Sequence, residues 1–157
     1  MELEKTIEAL NKLITINHDR IEGYQTASDE TEESDLKLFF GQLSLTSQSC
    51  LNQLVDEVTV LGGTPSEHTK ISGKFFRVWM DVKAALTGRN RKLILDSCQF
   101  GEDQAREIYE KVLTDDLEQL GIEQQKMIIA QLHQLNLDHE KVNAMYDKIV
   151  EAEKEFK

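Results

Sequence analysis

The chain has 157 residues, of which 39% are hydrophobic and 30% are charged. This composition is that of a folded protein rather than a disordered one, and the length suits a single domain spanning residues 1–157. The net charge of −11 at pH 7 argues against general nucleic-acid binding, which requires a surface dominated by lysine and arginine.

A first long helix is predicted for about residues 2–30. Its apolar residues recur at alternating steps of three and four, which is the spacing of one helix face. Asn17 is the polar interruption near the middle of this face. Gly23 lies inside the predicted helix, where a glycine costs about 1 kcal/mol relative to alanine, and such a glycine usually permits a close approach by another group.

A second long helix is predicted for about residues 35–61. The same apolar spacing continues through it, with Ser47 at the middle of the apolar face. Gly62 and Gly63 end this helix. The acidic segment 29–35 forms the turn that precedes it, so the first two helices are expected to form an antiparallel hairpin.

A long crossover follows, and it carries a short amphipathic helix over about residues 71–86 with Trp79 as its anchor. It is also the basic part of the chain. Between Ser66 and Leu95 there are seven basic residues and two acidic ones, Glu67 and Asp81, so the net charge of this segment is 7 − 2 = +5. This charge either balances the acidic bundle or forms a docking surface for an acidic partner or a second subunit. The residues of the predicted docking surface are Trp79, Phe75, Arg77 and Lys83.

Two further long helices are predicted, for about residues 91–114 and 117–155. The apolar face of the first contains Glu102, and that of the second contains His139. A carboxylate in an apolar site costs several kcal/mol unless a cation, a donor or water meets it. Glu102 is therefore the first place to look for specific chemistry.

Each long helix has one polar residue near its midpoint, namely Asn17, Ser47, Glu102 and His139. In an up-down bundle the four midpoints lie at the same height. We therefore expect these side chains to converge in one layer of the core. The structural interpretation of that layer is a buried Glu102–His139 ion pair or hydrogen bond, with Asn17 and Tyr109 as further partners, which would set the helix register.

The predicted order of elements is that of the ferritin-like bundles: a helix pair, a long crossover with a short helix, and a second helix pair. More narrowly, the chain resembles a small bacterial family of ferritin-like four-helix-bundle proteins of unknown function. The resemblance covers nearly the whole chain, and it is carried by residues 16–24 (INHDRIEGY), 61–63 (LGG), 79–88 (WMDVKAALTG), 101–103 (GED) and 109–110 (YE). It implies an all-α, ferritin-like up-down four-helix bundle with one long crossover containing a short helix. It implies no particular activity.

The di-metal pattern of ferritin-like proteins requires a glutamate from each of two helices and a Glu-x-x-His pair from each of the other two. This sequence departs from that pattern. Only Glu102 and His139 match it in residue type and place, and Asn17 is an amide on the same predicted layer. These residues could hold a single metal ion but could not bridge two irons, so iron-dependent oxygen chemistry is not expected.

The location of the protein is predicted from its apolar segments and its amino terminus. The longest wholly apolar runs are only a few residues long, so no membrane span is expected. The first five residues are acidic and in helical phase, without a secretory leader, which favours the cytoplasm.

The sequence therefore predicts a non-catalytic four-helix bundle that acts by protein binding or self-association and needs no cofactor. The alternative is a metal or small-ligand binding protein with a degenerate site around Glu102 and His139, which would hold a single metal ion.

Overall fold

The structure, a computed structural model, describes residues 3–67 and 73–155, and for residues 73–78 the backbone alone. The described residues form five α-helices, one short 3-10 helix and no strand. The prediction of an all-α chain is therefore confirmed. The helices are α1 (Leu3–Glu30), α2 (Ser34–Val60), α3 (Gly73–Thr87), α4 (Arg91–Asp115) and α5 (Ile122–Glu155).

The four long helices are α1, α2, α4 and α5, and their ends show how they run. Gly63, just after α2, packs against Ile7 near the start of α1, so these two helices are antiparallel. The Thr6 hydroxyl of α1 donates to the Gln119 carbonyl, just after α4, at 2.5 Å, so α4 is also antiparallel to α1. Since α2 and α4 run in the same direction, residues 61–90 must cross the height of the molecule to connect them.

The end of α2 follows from its two glycines. Gly62 has φ +83°, a left-handed conformation that glycine adopts without a steric penalty. The Gly62 and Gly63 N–H groups donate to the carbonyls of Thr59 and Val58, which closes the last turn of the helix. A Cβ on Gly63 would lie 2.7 Å from the side chain of Ile7. A larger residue there would therefore disturb the hairpin.

The last helix begins later than the predicted residue 117. A short 3-10 helix occupies Leu117–Gln119, Leu120 is extended and buried, and α5 begins at Ile122. The side chain of Gln124 accepts a hydrogen bond from the Gly121 N–H at 2.9 Å. This contact satisfies a backbone donor at the start of α5 and fixes the boundary.

The apolar core is divided into two clusters, each built from α1, α2, α4 and the last part of the chain. One cluster lies around Leu10, Leu54 and Ile128. The other lies around Tyr24, Phe40 and Leu95. The helix segments between the clusters carry buried polar side chains, namely Asn17, Asp19, Arg20, Ser44, Ser47, Glu102 and Asp138.

Helix α3 is fixed to α1 by Trp79, which packs against both apolar clusters. A Cβ on Gly23 would lie 2.0 Å from Cε2 of Trp79. The absence of a side chain at Gly23 therefore makes room for the indole, which is the close approach expected from the sequence.

The basic end of the crossover contacts the acidic turn between α1 and α2. Arg89 lies 2.5 Å from Glu32. Arg91 lies 2.7 Å from both Glu33 and Asp35. These ion pairs support the interpretation of the crossover charge as a balance for acidic residues.

Candidate functional site

The polar layer is centred on Arg20, whose side chain is only 1% exposed. One guanidinium nitrogen donates to the Ser47 hydroxyl, and the other donates to Oε1 of Glu102 at 2.6 Å. The second nitrogen also lies 3.5 Å from Oδ2 of Asp138. Arg20 therefore connects α1 with α2, α4 and α5.

Tyr24 completes the surroundings of Glu102. It lies one helical turn after Arg20, and residues four apart share one helix face. Its hydroxyl donates to the same Oε1 of Glu102 at 2.5 Å. The Arg20 guanidinium carbon lies 5.5 Å from the centre of the Tyr24 ring, which is within the range of a cation–π interaction.

A second polar group lies one helical turn before Arg20 on α1, and it connects α1 with α4 and α5. The Asn17 amide donates to the Tyr109 hydroxyl at 2.8 Å. The Tyr109 hydroxyl donates to Oε1 of Gln131, also at 2.8 Å. The Gln131 amide in turn donates to the Cys50 carbonyl of α2 at 3.3 Å. Asn17 and Tyr109 thus hydrogen-bond to each other rather than to Glu102.

A polar stripe on α5 explains how this helix pairs with α2. Its buried members, Gln124, Gln131 and Asp138, are spaced seven residues apart, so they lie on one face of the helix. Each approaches α2: Gln124 donates to Glu57 at 3.1 Å, Gln131 donates to Gln53 at 2.9 Å, and Asp138 accepts from Thr46 at 3.5 Å. The seam between α2 and α5 is therefore polar.

Burial and the charge of the partner shift the pKa in opposite directions for Arg20 and for Asp138. Burial lowers the pKa of Arg20, but the charge of Glu102 and its neighbours outweighs burial, so the pKa is raised and the guanidinium stays cationic. Burial raises the pKa of Asp138, against the effect of Arg20. Burial and the charge of Glu102 also raise the pKa of Tyr24, which keeps its hydroxyl a donor.

The two cysteines do not provide a reactive thiol. Both are buried and free. Burial raises the pKa of each thiol, most strongly for Cys98, where Glu102 adds to the effect. Because the thiolate is the reactive form, these cysteines are packing residues.

The predicted layer is present, but two of its four members are different. Ser47 and Glu102 lie in it as predicted. The members from α1 and α5 are Arg20 and Asp138, not Asn17 and His139. The predicted Glu102–His139 pair is wrong, since Nε2 of His139 lies 3.6 Å from Asp103 at the edge of the bundle. Ile128, Leu135 and Val142 of α5 are buried as the apolar spacing predicts, but the buried face continues to the residue three positions after Leu135, Asp138, and not four positions after it, His139.

A metal site at Glu102, His139 and Asn17 stays a prediction. Among residues 3–67 and 73–155, no group of three or more His, Cys, Asp or Glu side chains has an arrangement that could hold a metal ion. The carboxylate of Glu102 is already occupied by the guanidinium of Arg20. This contact is made to Oε1 of Glu102, so a metal ion at the same carboxylate would lie close to the guanidinium and be repelled by its charge.

The predicted docking residues lie on α3, and two of them have described side chains. Trp79 is partly buried and packs edge-on against Tyr24, with ring centres 5.0 Å apart. Lys83 is exposed and lies 3.7 Å from Glu30 of α1. The side chains of Phe75 and Arg77 lie outside the described residues.

An apolar groove of about 300 Å³ opens between α1 and α3, beside Trp79. We call it the α1–α3 groove. Ala27 and Val82, which are both buried, and Leu86 contribute to its apolar lining. Charged residues also line the groove, namely Glu22, Glu30 and Lys83.

Asp19 is a buried carboxylate beside Arg20 in the chain that the apolar spacing did not reveal. Burial, together with the nearby charge of Glu22, raises its pKa from 3.8 to about 6. In the folded protein Asp19 therefore holds its proton more tightly than in the unfolded chain. Stability is lost as the pH rises from about 4 through about 6, because the charged form is disfavoured only in the folded state.

We expect Asp19→Asn to stabilise the protein at pH 7.5 by on the order of 2 kcal/mol, because it removes a buried charge and keeps the shape of the side chain. The gain should become much smaller at pH 4, where Asp19 is mostly protonated in the folded state. Urea unfolding at both pH values measures the difference. An equal effect at the two pH values would contradict this assignment.

The closed layer suits a structural role. Its ionisable members Arg20, Glu102 and Asp138 are at most 2% exposed, and Arg20 is the cation that both carboxylates approach. A catalytic group must reach its substrate, at hydrogen-bond distance.

No helix in the described part of the chain is long and apolar enough to cross a bilayer.

Comparison with known proteins adds one finding. A family model described as a domain of unknown function, DUF2383, matches residues 5–115. This stretch contains α1 to α4, and with them Arg20, Ser47 and Glu102, but it ends before Asp138. No protein of curated function matches the chain.

Proposed function

We propose that this chain, which belongs to the family described as domain of unknown function DUF2383, is a non-catalytic binding protein built as a ferritin-like four-helix bundle. The helix order and the long crossover carrying α3 support this architecture. So do the helix contacts, since α1 packs mainly against α2 and α4 mainly against α5, and each pair also contacts the other through α1–α4 and α2–α5. In this proposal the chain is a single domain and acts in the cytoplasm.

The polar layer supports the non-catalytic part of the proposal. Its charged groups are buried and paired inside the bundle, and Arg20 contacts the three other long helices. Paired charges inside a core are used to specify how elements fit together, at a cost in desolvation. In this role Arg20 sets the register and rotation of α1 against its neighbours.

The observation that carries the binding function is the α1–α3 groove. It is open and lined in large part by apolar side chains, while the polar core beneath it is closed. Trp79 forms one wall, and tryptophan is enriched among the residues that dominate binding energy at protein interfaces. Lys83, also predicted as a docking residue, lines the groove beside Glu30.

The groove also indicates the chemistry of the partner. Glu22 and Glu30 outnumber Lys83 in its lining, so the groove has a net negative charge, and the chain as a whole carries −11. A segment with apolar side chains flanked by lysine or arginine would match both features. We therefore propose a basic amphipathic peptide segment of another protein as the partner.

A synthetic amphipathic peptide of leucine and lysine should bind this groove and change the fluorescence of Trp79, the only tryptophan in the chain. We expect Thr26→Phe to weaken binding at least about tenfold, because Thr26 is an exposed residue lining the groove. Fluorescence titration gives the dissociation constant for each variant.

The matched control is Thr59→Phe, which places the same side chain at an exposed position of α2 outside the groove. It should leave the dissociation constant unchanged. A peptide of leucine and glutamate should not bind. Equal affinity of both variants for the basic peptide would show that the −11 charge alone attracts it, and the groove would then not be the binding site.

The alternative function, a single metal ion or small ligand held around Glu102, Asn17 and His139, is less well supported by the geometry. Arg20 already supplies the positive charge beside Glu102, and His139 lies toward Asp103. This alternative stays a prediction, which metal analysis of protein purified without chelator would test.

A further inference from the structure

Two stretches of the chain carry no Asp, Glu, Lys or Arg, although 30% of all residues are charged. They are residues 38–55 of α2 and residues 127–137 of α5. The two stretches lie side by side, because Gln131 of α5 donates to the Cys50 carbonyl and to Gln53 of α2. Together they form one uncharged surface on a strongly acidic protein.

Leu45 lies at the centre of this surface. It is 70% exposed, and Leu38, one heptad earlier on the same face of α2, is 67% exposed. A groove of about 330 Å³ between α1 and α2, with Asp29 in its lining, lies on one side of Leu45. A groove of about 390 Å³ between α2 and α5, lined in part by Ala130 and Gln134, lies on the other. The surface thus has an apolar ridge with a depression on each side.

Gly41 lies between the two leucines, and packing within the chain does not require a glycine at this position. A Cβ on Gly41 would have no atom within 4 Å. Glycine inside a helix costs about 1 kcal/mol relative to alanine, and this cost is not explained by packing within the chain, in contrast to Gly23 under Trp79. A glycine on an outer helix face permits the close approach of another helix.

From these observations we infer that the uncharged surface, defined by Leu38, Gly41, Leu45, Gln53, Ala130 and Gln134, binds a second copy of this chain. Two copies that each carry −11 repel one another, and the repulsion is least where the contact surfaces carry no charge. Of the described residues that line its two grooves, Asp29 alone is charged, so a basic partner would find little charge complementarity on this surface. The inference concerns a different surface from the α1–α3 groove and does not depend on the proposed function.

The ridge is suited to a two-fold contact. If the axis passes near Gly41 with the two α2 helices crossing antiparallel, Leu38 of one copy lies beside Leu45 of the other, as a self-complementary interface requires. The surface is about 24 Å long, from 16 residues of α2, and roughly 20 Å wide across two helices. Such an area lies below that of a standard interface, so we expect a reversible dimer.

Sedimentation equilibrium of the full chain from about 1 to about 500 µM should show a monomer–dimer equilibrium. Raising NaCl from about 0.02 to about 0.5 M should strengthen it, because salt screens the repulsion between acidic copies. Leu45→Glu should weaken dimerisation at least about tenfold, since it buries a charge in the contact. Gly41→Ala should weaken it too, while stabilising the monomer.

The matched control is Leu93→Glu, which changes a leucine of similar exposure on α4 and should leave dimerisation unchanged. Circular dichroism shows whether each variant is folded. A wild-type chain that stays monomeric at every concentration overturns the inference. Equal weakening of dimerisation by Leu93→Glu also overturns it. If the wild type stays monomeric and binds phosphatidylcholine vesicles while Leu45→Glu does not, the surface is assigned to a lipid bilayer instead.

Discussion

Arg20→Met is expected to lower the free energy of unfolding by about 3–5 kcal/mol. Methionine fills much of the same space but leaves Glu102 and Asp138 buried without the cation that both approach. It also removes the donor to Ser47. For a chain of this length such a loss lowers the melting temperature by roughly 10 °C. Urea unfolding at pH 7.5 and a thermal melt measure the two quantities.

The control for Arg20→Met is to remove the partner charges in the same chain, with Glu102→Gln and Asp138→Asn. Because no charge is then left without a partner, we expect most of the lost stability to return. The comparison forms a mutant cycle, which isolates the coupling between the charges. A loss below about 1 kcal/mol for Arg20→Met, or no recovery in the combined variant, would show that solvent already meets these carboxylates.

Gly23→Ala is expected to destabilise the protein by roughly 2–4 kcal/mol despite the better helix propensity of alanine. The added methyl group would lie about 2 Å from the indole of Trp79, so the indole has to leave its place on α1. We expect the emission of Trp79 to shift to longer wavelength as the ring becomes hydrated. Fluorescence spectra and urea unfolding measure these effects.

Gly41→Ala is the matched control, because it makes the same change inside α2 where no atom lies within 4 Å of the new methyl group. Measured on dilute protein, it should stabilise the monomer by up to about 1 kcal/mol and leave the Trp79 emission unchanged. If Gly23→Ala also left the emission unchanged, Trp79 of α3 would not be packed against Gly23 of α1.

Much of the local structure can be predicted from the sequence. The helix ends that lie inside the described ranges fall within one residue of their predicted positions, except the start of α5, because glycine pairs and capping residues act locally. Residues 2, 71 and 72 of the predicted helices lie outside the described residues. Gly62 and Asn90 show this: one takes a left-handed conformation after α2, and the other caps α4 by accepting from the Leu93 N–H. The burial of Glu102 could also be predicted, since it lies in phase with its apolar neighbours.

The partners of Glu102 could not be predicted in the same way, because they depend on how each helix is rotated about its axis. Arginine is almost never fully buried unless it is paired, so the apolar spacing of α1 placed Asn17 and Ile21 inward and passed over Arg20. The signal that was present is the requirement of a buried carboxylate for a cation. On α5 both Asp138 and His139 are compatible with a buried Leu135, and a small rotation of the helix decides which of them faces the layer.

The position of Arg20 near the beginning of the chain has a consequence for folding during synthesis. Its partners lie 27, 82 and 118 residues later, at Ser47, Glu102 and Asp138. Ser47 and Glu102 can meet the guanidinium earlier, but the layer is complete only after α5 has left the ribosome. We therefore expect α1, α2 and α4 to stay loosely packed until α5 emerges, and then to consolidate with it in a single cooperative step.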